Sequence, residues 1–325
     1  MMMDREAKTL SSVVEASGGT PLVDLSRLTG NVEGRILAKL DYLNPGFSKK
    51  DRIARQIIED AREADELKPG QTVVELTSGN TGTGLAIVCG IMGHPFVAVM
   101  SKGNSIERAR MMSALGAEVV LVDQLPDSVP GQVSGPDLEK VEERAVELVR
   151  ERDAFRADQF NHRGSFRAHY LNTGPEFWTQ SGKSIQAFCD FVGSGGTFGG
   201  CAAYFKEQDP AIRCYVVEPD CAAVLSGAEI SNPAHRIQGG GYSMPDLKYL
   251  KQEHIDGYLK VSDEEALLMA RRLAEEEGIF AGFSSGANVA AAVKLLEGEC
   301  RGQTVAVVIC DSGLKYLSTD LWNDE

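Results

Sequence analysis

The sequence predicts an α/β protein with mostly parallel sheets, and three observations on its 325 residues support this. Short apolar runs alternate with longer stretches whose apolar residues recur every three to four positions, as expected for strands joined by crossover helices. Several of the short runs are apolar on both faces, which is typical of strands buried in a parallel sheet. The length exceeds what one core comfortably holds, so two lobes are expected.

Six of the short apolar runs are predicted to be strands. In chain order they are residues 73–75, 96–100, 118–122, 186–192, 214–218 and 305–310. The loops between elements are short, except for the segment 123–136. Its prolines, glycines, serines and aspartates predict a surface loop.

Helices are predicted between these strands from their apolar faces and capping signals. Residues 51–66 place their isoleucines on one face of a helix. Residues 105–115 end at Gly116, where a left-handed cap is expected. The run 262–265 (Ser-Asp-Glu-Glu) is a capping box that begins an amphipathic helix, and the alanine-rich run 287–295 predicts another.

The composition excludes several classes of function. Acidic residues outnumber basic ones by 47 to 33, and the net charge of −14 repels nucleic-acid backbones and anionic membranes. No apolar run approaches the roughly 20 residues of a membrane helix, and residues 1–10 are too polar for a signal peptide, so a cytoplasmic location is expected. The seven cysteines and five histidines show no metal-ligand spacing, which predicts free thiols and no metal site.

Three glycine-rich turns each follow a strand candidate or precede a helix candidate. The first, Thr77–Gly82 (Thr-Ser-Gly-Asn-Thr-Gly), offers hydroxyl groups and backbone N–H groups at a helix start, a combination that binds carboxylate or phosphate. The second, Gly193–Thr197 (Gly-Ser-Gly-Gly-Thr), lets several N–H groups converge on one anion. The third is Gly282–Gly286. Plain turns use the same residue types, so each motif alone leaves a purely structural role open.

Two nucleotide-binding motifs are absent. A dinucleotide fingerprint that starts at Gly193 requires a third glycine at position 198, which is Phe198. A phosphate-binding loop around Lys183 requires an upstream glycine at position 177, which is Phe177. These substitutions argue against an NAD-dependent oxidoreductase and against ATP binding through such a loop.

The loop Asn44–Arg52 (Asn-Pro-Gly-Phe-Ser-Lys-Lys-Asp-Arg) runs directly into the helix predicted from Asp51. A lysine at a helix N-terminus lies at the positive end of the helix dipole. The positive potential there favours the neutral amine that a Schiff base needs. For an isolated Lys-Lys pair, a solvated basic turn is the alternative.

Taken together, these segments resemble the cysteine synthase family, enzymes of the β-family that use pyridoxal 5′-phosphate (PLP) and include the cystathionine β-synthases. The resemblance covers nearly the whole chain in order. Its motifs are Gly18–Leu22, Ser48–Arg52, Thr77–Gly82, His169–Glu176, Gly193–Thr197, His235–Gly239, Ser284–Ala287 and Tyr316–Thr319. It implies a two-lobed fold-type II enzyme (tryptophan synthase β-like), each lobe a twisted, mostly parallel sheet flanked by helices. The smaller mobile lobe would span residues 45–156 and the larger lobe 1–44 plus 157–325, with PLP in the cleft between them.

The resemblance also implies a role for each matched residue. Lys50 would be the catalytic residue, forming the internal aldimine and taking the α-proton of the substrate. The residues that would bind PLP are Lys50, Asn80, Gly193, Ser194, Gly195, Gly196, Thr197 and Ser284. The residues that would bind the substrate carboxylate are Thr77, Ser78, Gly79, Thr81 and Gln159.

The activity that the resemblance implies is β-replacement on an activated serine- or cysteine-like amino acid through an aminoacrylate intermediate, by a homodimer. A hydroxyl such as that of Ser284 cannot keep the pyridine nitrogen protonated, so the weaker electron sink favours elimination over transamination. The alternative is a lyase or hydrolytic variant that releases pyruvate and ammonia or adds water. A binding protein without activity is disfavoured, because both the lysine and the phosphate loop are present.

The chain departs from the family pattern at several positions, which leaves the leaving group and the nucleophile open. Phe47 replaces a glycine, and Lys49 replaces the valine before the cofactor lysine. Residues 161–166 and 239–243 also differ, where a substrate side chain or nucleophile would approach. From these segments, Arg163 and Tyr242 are candidates for binding a distal substrate group, with surface and packing roles as the alternatives.

Overall fold

The computed structural model of the chain describes residues 9–129, 131, 133–233 and 235–323. Within this part, the strands are β1 (Leu22–Asp24), β2 (Arg35–Lys39), β3 (Val73–Leu76), β4 (Phe96–Ser101), β5 (Glu118–Val122), β6 (Phe155–Arg156), β7 (Ala187–Phe191), β8 (Arg213–Pro219), β9 (Gly257–Val261) and β10 (Thr304–Val308). The α-helices are α1 (Lys50–Glu63), α2 (Asn80–Met92), α3 (Ile106–Ala114), α4 (Gly135–Arg152), α5 (Gly164–Ala168), α6 (Gly174–Gln180), α7 (Gly196–Gln208), α8 (Asp263–Glu277) and α9 (Phe283–Glu297). A π-turn at His169–Thr173 joins α5 to α6.

The strands form two sheets. The larger has the order β1-β2-β10-β7-β8-β9 and the smaller the order β5-β4-β3-β6. Every neighbouring pair is parallel except β1 and β2, which run antiparallel. The prediction of an α/β fold with two mostly parallel sheets is therefore confirmed.

Apolar clusters cover both faces of each sheet. In the larger sheet one cluster packs against α8 and α9, and the opposite one packs against α6 and α7. In the smaller sheet α1 and α2 cover one face and α4 the other. Because both faces are buried, the central strands are apolar on both sides, which made them recognisable in the sequence.

The six predicted strands are all present, and the described residues contain further strands that sequence reasoning missed. β1, β2 and β9 lie at or near an edge of the larger sheet, and β6 has two residues at the edge of the smaller one. Edge strands mix polar and apolar residues, so they lack the apolar signature of the central strands. The loop predicted over 123–136 was too long, because α4 begins at Gly135 behind a capping box of Ser134 and Asp137.

The parallel topology brings the functional loops together. The segments after β3, β7 and β10 all leave the carboxyl ends of their strands, where ligands bind in open α/β sheets. The isolated bridge Ser48↔Asp311 fixes the start of α1 beside the segment that follows β10. Residues far apart in the chain thus meet at one cleft between the two sheets.

All seven cysteines carry free thiols, and six of them are buried; Cys221 is half-buried. Among the residues that the structure describes, no cluster of His, Cys, Asp or Glu side chains has the arrangement of a metal site. Within the same residues, none of the helices combines the length and apolarity that crossing a bilayer demands.

Candidate active site

Lys50 is the first residue of α1 and lies inside the cleft. Its backbone N–H donates to the Ser48 hydroxyl at 3.2 Å. The amine at the end of its side chain has no hydrogen bond or salt bridge to any residue that the structure describes. Burial, followed by the charge of the neighbouring Lys49, lowers the pKa of Lys50 to about 8. The neutral amine that a Schiff base needs is therefore accessible near neutral pH.

A cradle of glycines follows β7 at residues 193–197. Gly195 has a left-handed backbone and precedes α7, whose N-terminus starts at Gly196. A Cβ atom on Gly193 would lie 2.6 Å from the Gly239 carbonyl, and one on Gly196 would lie 2.6 Å from the Ser165 carbonyl. The backbone N–H groups at this helix start are thus kept clear of side chains, as a phosphate group requires.

Behind the cradle, the Thr197 hydroxyl lies 3.2 Å from Nε2 of His169, whose Nδ1 lies 2.9 Å from the Thr173 hydroxyl. Burial, the largest cause, keeps the pKa of His169 well below its usual value. The imidazole is therefore neutral and orients Thr197 without adding a charge.

The loop after β3 is organised by its own hydroxyl groups. The Thr77 hydroxyl accepts from the N–H groups of Gly79 and Gly82, both at 2.9 Å. The Thr81 hydroxyl donates to the Gln159 side-chain oxygen at 2.6 Å, and the amide nitrogen of Gln159 donates to the Leu76 carbonyl at 3.1 Å. The structure thus brings the predicted carboxylate-binding residues together at the start of α2.

A buried arginine behind this loop was missed by sequence reasoning. Arg108 on α3 is 1% exposed and donates from one guanidinium nitrogen to the Ser78 carbonyl at 2.7 Å. Its other two guanidinium nitrogens are buried and have no hydrogen bond to any residue within the described part of the chain. A Cβ atom on Gly79 would lie 2.5 Å from Cδ of Arg108, so a glycine is needed where the loop crosses the arginine. Arg108 gives a loop of neutral groups a positive charge.

Asn80 lies in a cluster of polar side chains that sequence reasoning also missed. Its amide nitrogen donates to Asp311 Oδ2 at 2.7 Å, and its amide oxygen accepts from the Lys315 amine at 2.7 Å. The Tyr316 hydroxyl donates to the same Asp311 oxygen at 2.8 Å. The motif at 316–319 was the available signal, because Asp311 and Lys315 lie between it and the predicted strand 305–310.

Ser284 lies in the first turn of α9 and is buried. Burial raises the pKa of the nearby Cys310 thiol to about 11, which keeps that thiol uncharged. The neighbouring Ser285 hydroxyl accepts from the Cys310 N–H at 2.9 Å. Around Ser284 the structure therefore provides uncharged partners, consistent with a hydroxyl that faces a pyridine nitrogen.

A cavity of about 420 Å³ lies between the sheets and is lined by Ser78, Asn104, residues 239–243 and Ser318. Tyr242 reaches across it, with its hydroxyl 3.3 Å from that of Ser78. Arg163, by contrast, is 56% exposed, and its Nε lies 3.5 Å from Asp60 Oδ2. Arg163 is therefore a surface residue, as the alternative interpretation proposed. Tyr242, in contrast, reaches the candidate carboxylate loop.

Comparison with known proteins agrees with this geometry. The family model described as "Pyridoxal-phosphate dependent enzyme" matches residues 13–311. The chain belongs to this family. It is 39% identical over 318 residues to a cysteine synthase of Staphylococcus aureus, covering 97% of this chain and 98% of the relative. A cysteine synthase of Caenorhabditis elegans is 39% identical over 309 residues, covering 94% of this chain and 88% of the relative.

Solved structures agree as well. The cysteine synthase of Entamoeba histolytica superposes with a TM-score of 0.90 at 32% identity, covering 100% of this chain and 95% of that one. A hydrogen sulfide-producing enzyme of Fusobacterium nucleatum gives a TM-score of 0.87 at 34% identity, covering 95% and 100%. The chain is therefore a fold-type II, PLP-dependent enzyme of the cysteine synthase family, and its activity is β-replacement on an activated amino acid. The predictions of family, fold, cofactor and activity are confirmed.

Proposed function

We propose that this enzyme is a cysteine synthase, which replaces the acetoxy group of O-acetylserine with sulfide and forms cysteine and acetate. The observation that carries this proposal is the match along nearly the whole chain to proteins named cysteine synthase. A structure named O-acetylserine sulfhydrylase, from Entamoeba histolytica, also superposes with a TM-score of 0.89 at 32% identity.

Lys50 and the loops around it are proposed to hold the cofactor. The glycine cradle fits a phosphate group, because it presents a helix N-terminus that side chains cannot fill. Lys50 is half-buried, and its amine, which has no hydrogen bond to the described residues, is suited to covalent attachment. Asn80 and Ser284 would contact the pyridine ring of PLP. When bound, PLP supplies an electron sink for the negative charge that develops at the substrate α-carbon.

The protein's own groups then have separate tasks. The loop 77–81 and Gln159 bind the substrate carboxylate, with Arg108 contributing a positive charge from behind. Nζ of Lys50, freed when substrate binds, accepts the α-proton and later returns it. The leaving acetate departs into the cavity lined by residues 239–243, and sulfide enters by the same opening.

The lobes, assembly and location belong to the same proposal. Residues 45–156 would form the smaller, mobile lobe and residues 1–44 plus 157–325 the larger one. The four-stranded sheet, which lies wholly within residues 73–156, supports this division. We propose a cytoplasmic homodimer, which light scattering would test. A 35.1 kDa particle with full activity would contradict the dimer.

A substrate panel tests the proposed reaction. O-acetylserine, O-phosphoserine, serine, cysteine and 3-hydroxyaspartate are each incubated with and without sulfide, and the products are identified by mass spectrometry. We expect cysteine from O-acetylserine and sulfide at the highest rate. Release of pyruvate and ammonia at an equal rate without sulfide would favour the lyase alternative.

A further inference from the structure

Lys49 and Lys50 are neighbours in the chain, yet their amines have opposite surroundings. Lys49 is 7% exposed, and its Nζ lies 2.8 Å and 3.0 Å from the two carboxylate oxygens of Asp190. Among the described residues, the Lys50 amine has no such partner. The first amine is thus tied in a buried ion pair and the second is free to react.

The ion pair is held rigidly. Asp190 lies in β7 and is 1% exposed. The Asn288 amide nitrogen donates to Asp190 Oδ1 at 3.2 Å and to the Val308 carbonyl at 2.8 Å. The Asn288 amide oxygen accepts from the Phe191 N–H. Three elements, β7, β10 and α9, therefore fix the position of the Lys49 charge.

Stability alone does not explain this pair. Removing two charges from water costs free energy, and replacing a buried ion pair by apolar residues is often neutral or stabilising. The charge is better explained by its effect on the residue next to it.

Charged and titratable groups approach Lys50 from every side. Lys49 contributes a positive charge from the start of α1, and Asp190 a negative one from β7. Cys310 and Asp311 approach from the segment after β10, and His169, which is neutral, lies on the π-turn. After burial, Lys49 is the main cause of the low pKa of Lys50, and the acidic groups oppose it. Asp190, in turn, raises the pKa of Lys49 against the effect of burial.

We propose that Lys49, held in place by Asp190, is a positioning residue whose fixed positive charge favours the neutral form of the Lys50 amine, the form that accepts the substrate proton. The inference rests on the proposed role of Lys50 as the cofactor lysine. It assigns different effects to the two members of the ion pair. Removing Lys49 leaves a negative charge near Lys50, whereas removing Asp190 leaves a positive one.

The test measures the pKa of the Lys50 amine directly. The full chain, freed of PLP, is labelled with trace acetic anhydride over a range of pH, and acetylation of the Lys50 peptide is quantified by mass spectrometry. We expect Lys49→Met to raise the pKa of Lys50 by about one unit and Asp190→Asn to lower it. The double variant should lie between the two single variants.

The double variant carries no unpaired charge, so it remains informative if Lys49→Met alone fails to fold. In that case, the pKa of Lys50 in the double variant must still be higher than the pKa of Lys50 in Asp190→Asn. The matched control is Lys39→Met, which removes another buried lysine, paired with Glu176 at 2.6 Å. This control should leave the pKa of Lys50 unchanged. An unchanged pKa in the single variants, or an equal shift in the control, would overturn the inference.

The PLP-loaded enzyme provides a second measurement. The acid limb of its kcat-against-pH profile should move upward in Lys49→Met, in step with the labelling result, while PLP still binds. Failure of Lys50 to bind PLP in the unmodified chain would contradict the proposed function. Normal PLP binding with no shift between variants would contradict only the role of Lys49.

Discussion

The two loops of the cleft that are proposed to bind anions are built in different ways. The cradle at 193–197 relies on backbone N–H groups at a helix start, and its closest neighbours are the carbonyls of Ser165 and Gly239. The loop at 77–82 relies on hydroxyl side chains and on the guanidinium of Arg108 behind it. A rigid backbone cradle is suited to a cofactor phosphate that stays bound. A loop whose affinity for a carboxylate comes from charge is suited to a substrate that binds and leaves in each turnover.

The largest effect is expected at Lys50, the proposed attachment point of the cofactor. Lys50→Ala should abolish the cofactor's visible absorbance and lower turnover by about 10²- to 10⁴-fold, because it removes both the attachment point and the base. Lys49→Ala is the matched control and should keep the absorbance. Absorbance spectra and steady-state rates of both variants provide the measurement. The reverse pattern would mean that Lys49 is the cofactor lysine.

The next effect tests the backbone cradle. Gly196→Ala places a Cβ atom 2.6 Å from the Ser165 carbonyl, so the cradle must shift. Overpacking of this kind costs about 1–3 kcal/mol, and we expect PLP to bind about 5- to 150-fold more weakly in a titration followed by absorbance. Gly135→Ala is the control, because a Cβ atom there has no described residue within 4 Å. Equal affinity in both variants would remove the cradle from the phosphate site.

Removing the positive charge behind the loop at 77–82 should have the opposite pattern of effects. Substrate binding should weaken, and cofactor binding should not change. Arg108→Met should raise KM for the amino-acid substrate by about tenfold, the loss of one charge-assisted interaction, with little change in PLP affinity. Arg108→Lys should recover part of the effect, because it keeps the charge. If binding of an amino-acid amide, which lacks the carboxylate, weakens as much as that of the acid, Arg108 only supports the loop structurally.

The smallest effect is expected at Tyr242. Tyr242→Phe removes one neutral hydrogen bond to Ser78, worth about 0.5–1.5 kcal/mol, or up to about 12-fold. We expect a changed ranking of leaving groups or nucleophiles in the substrate panel, while cofactor absorbance is unchanged. Arg163→Ala, a change on the surface, is the control. An equal loss with every substrate would indicate that Tyr242 acts only through packing.

The contrast between the backbone cradle at 193–197 and the side-chain loop at 77–82 also explains how much of the site could be predicted from the sequence. Glycines mark a backbone site directly, so their density at residues 193–197 predicted a phosphate-binding loop, and the apolar runs predicted the buried central strands. Sequence alone does not distinguish Arg108, Asp311 and Lys315 from surface residues, because their residue types are usually exposed. Only tertiary packing buries them. Asp190 gave no signal for a similar reason, because its partner Lys49 lies 141 positions away in the chain.

The distribution of thiols offers a practical route to watching this enzyme work. Reaction with a maleimide requires an accessible thiolate, and six of the seven cysteines are buried. Cys221, in the short turn after β8, is the exception. Burial raises the pKa of its thiol above the usual value. At alkaline pH, where this thiol ionises, a fluorescent dye should therefore attach at this position without any engineered cysteine. Dye emission recorded during turnover would then report on conformational change in the unmutated protein.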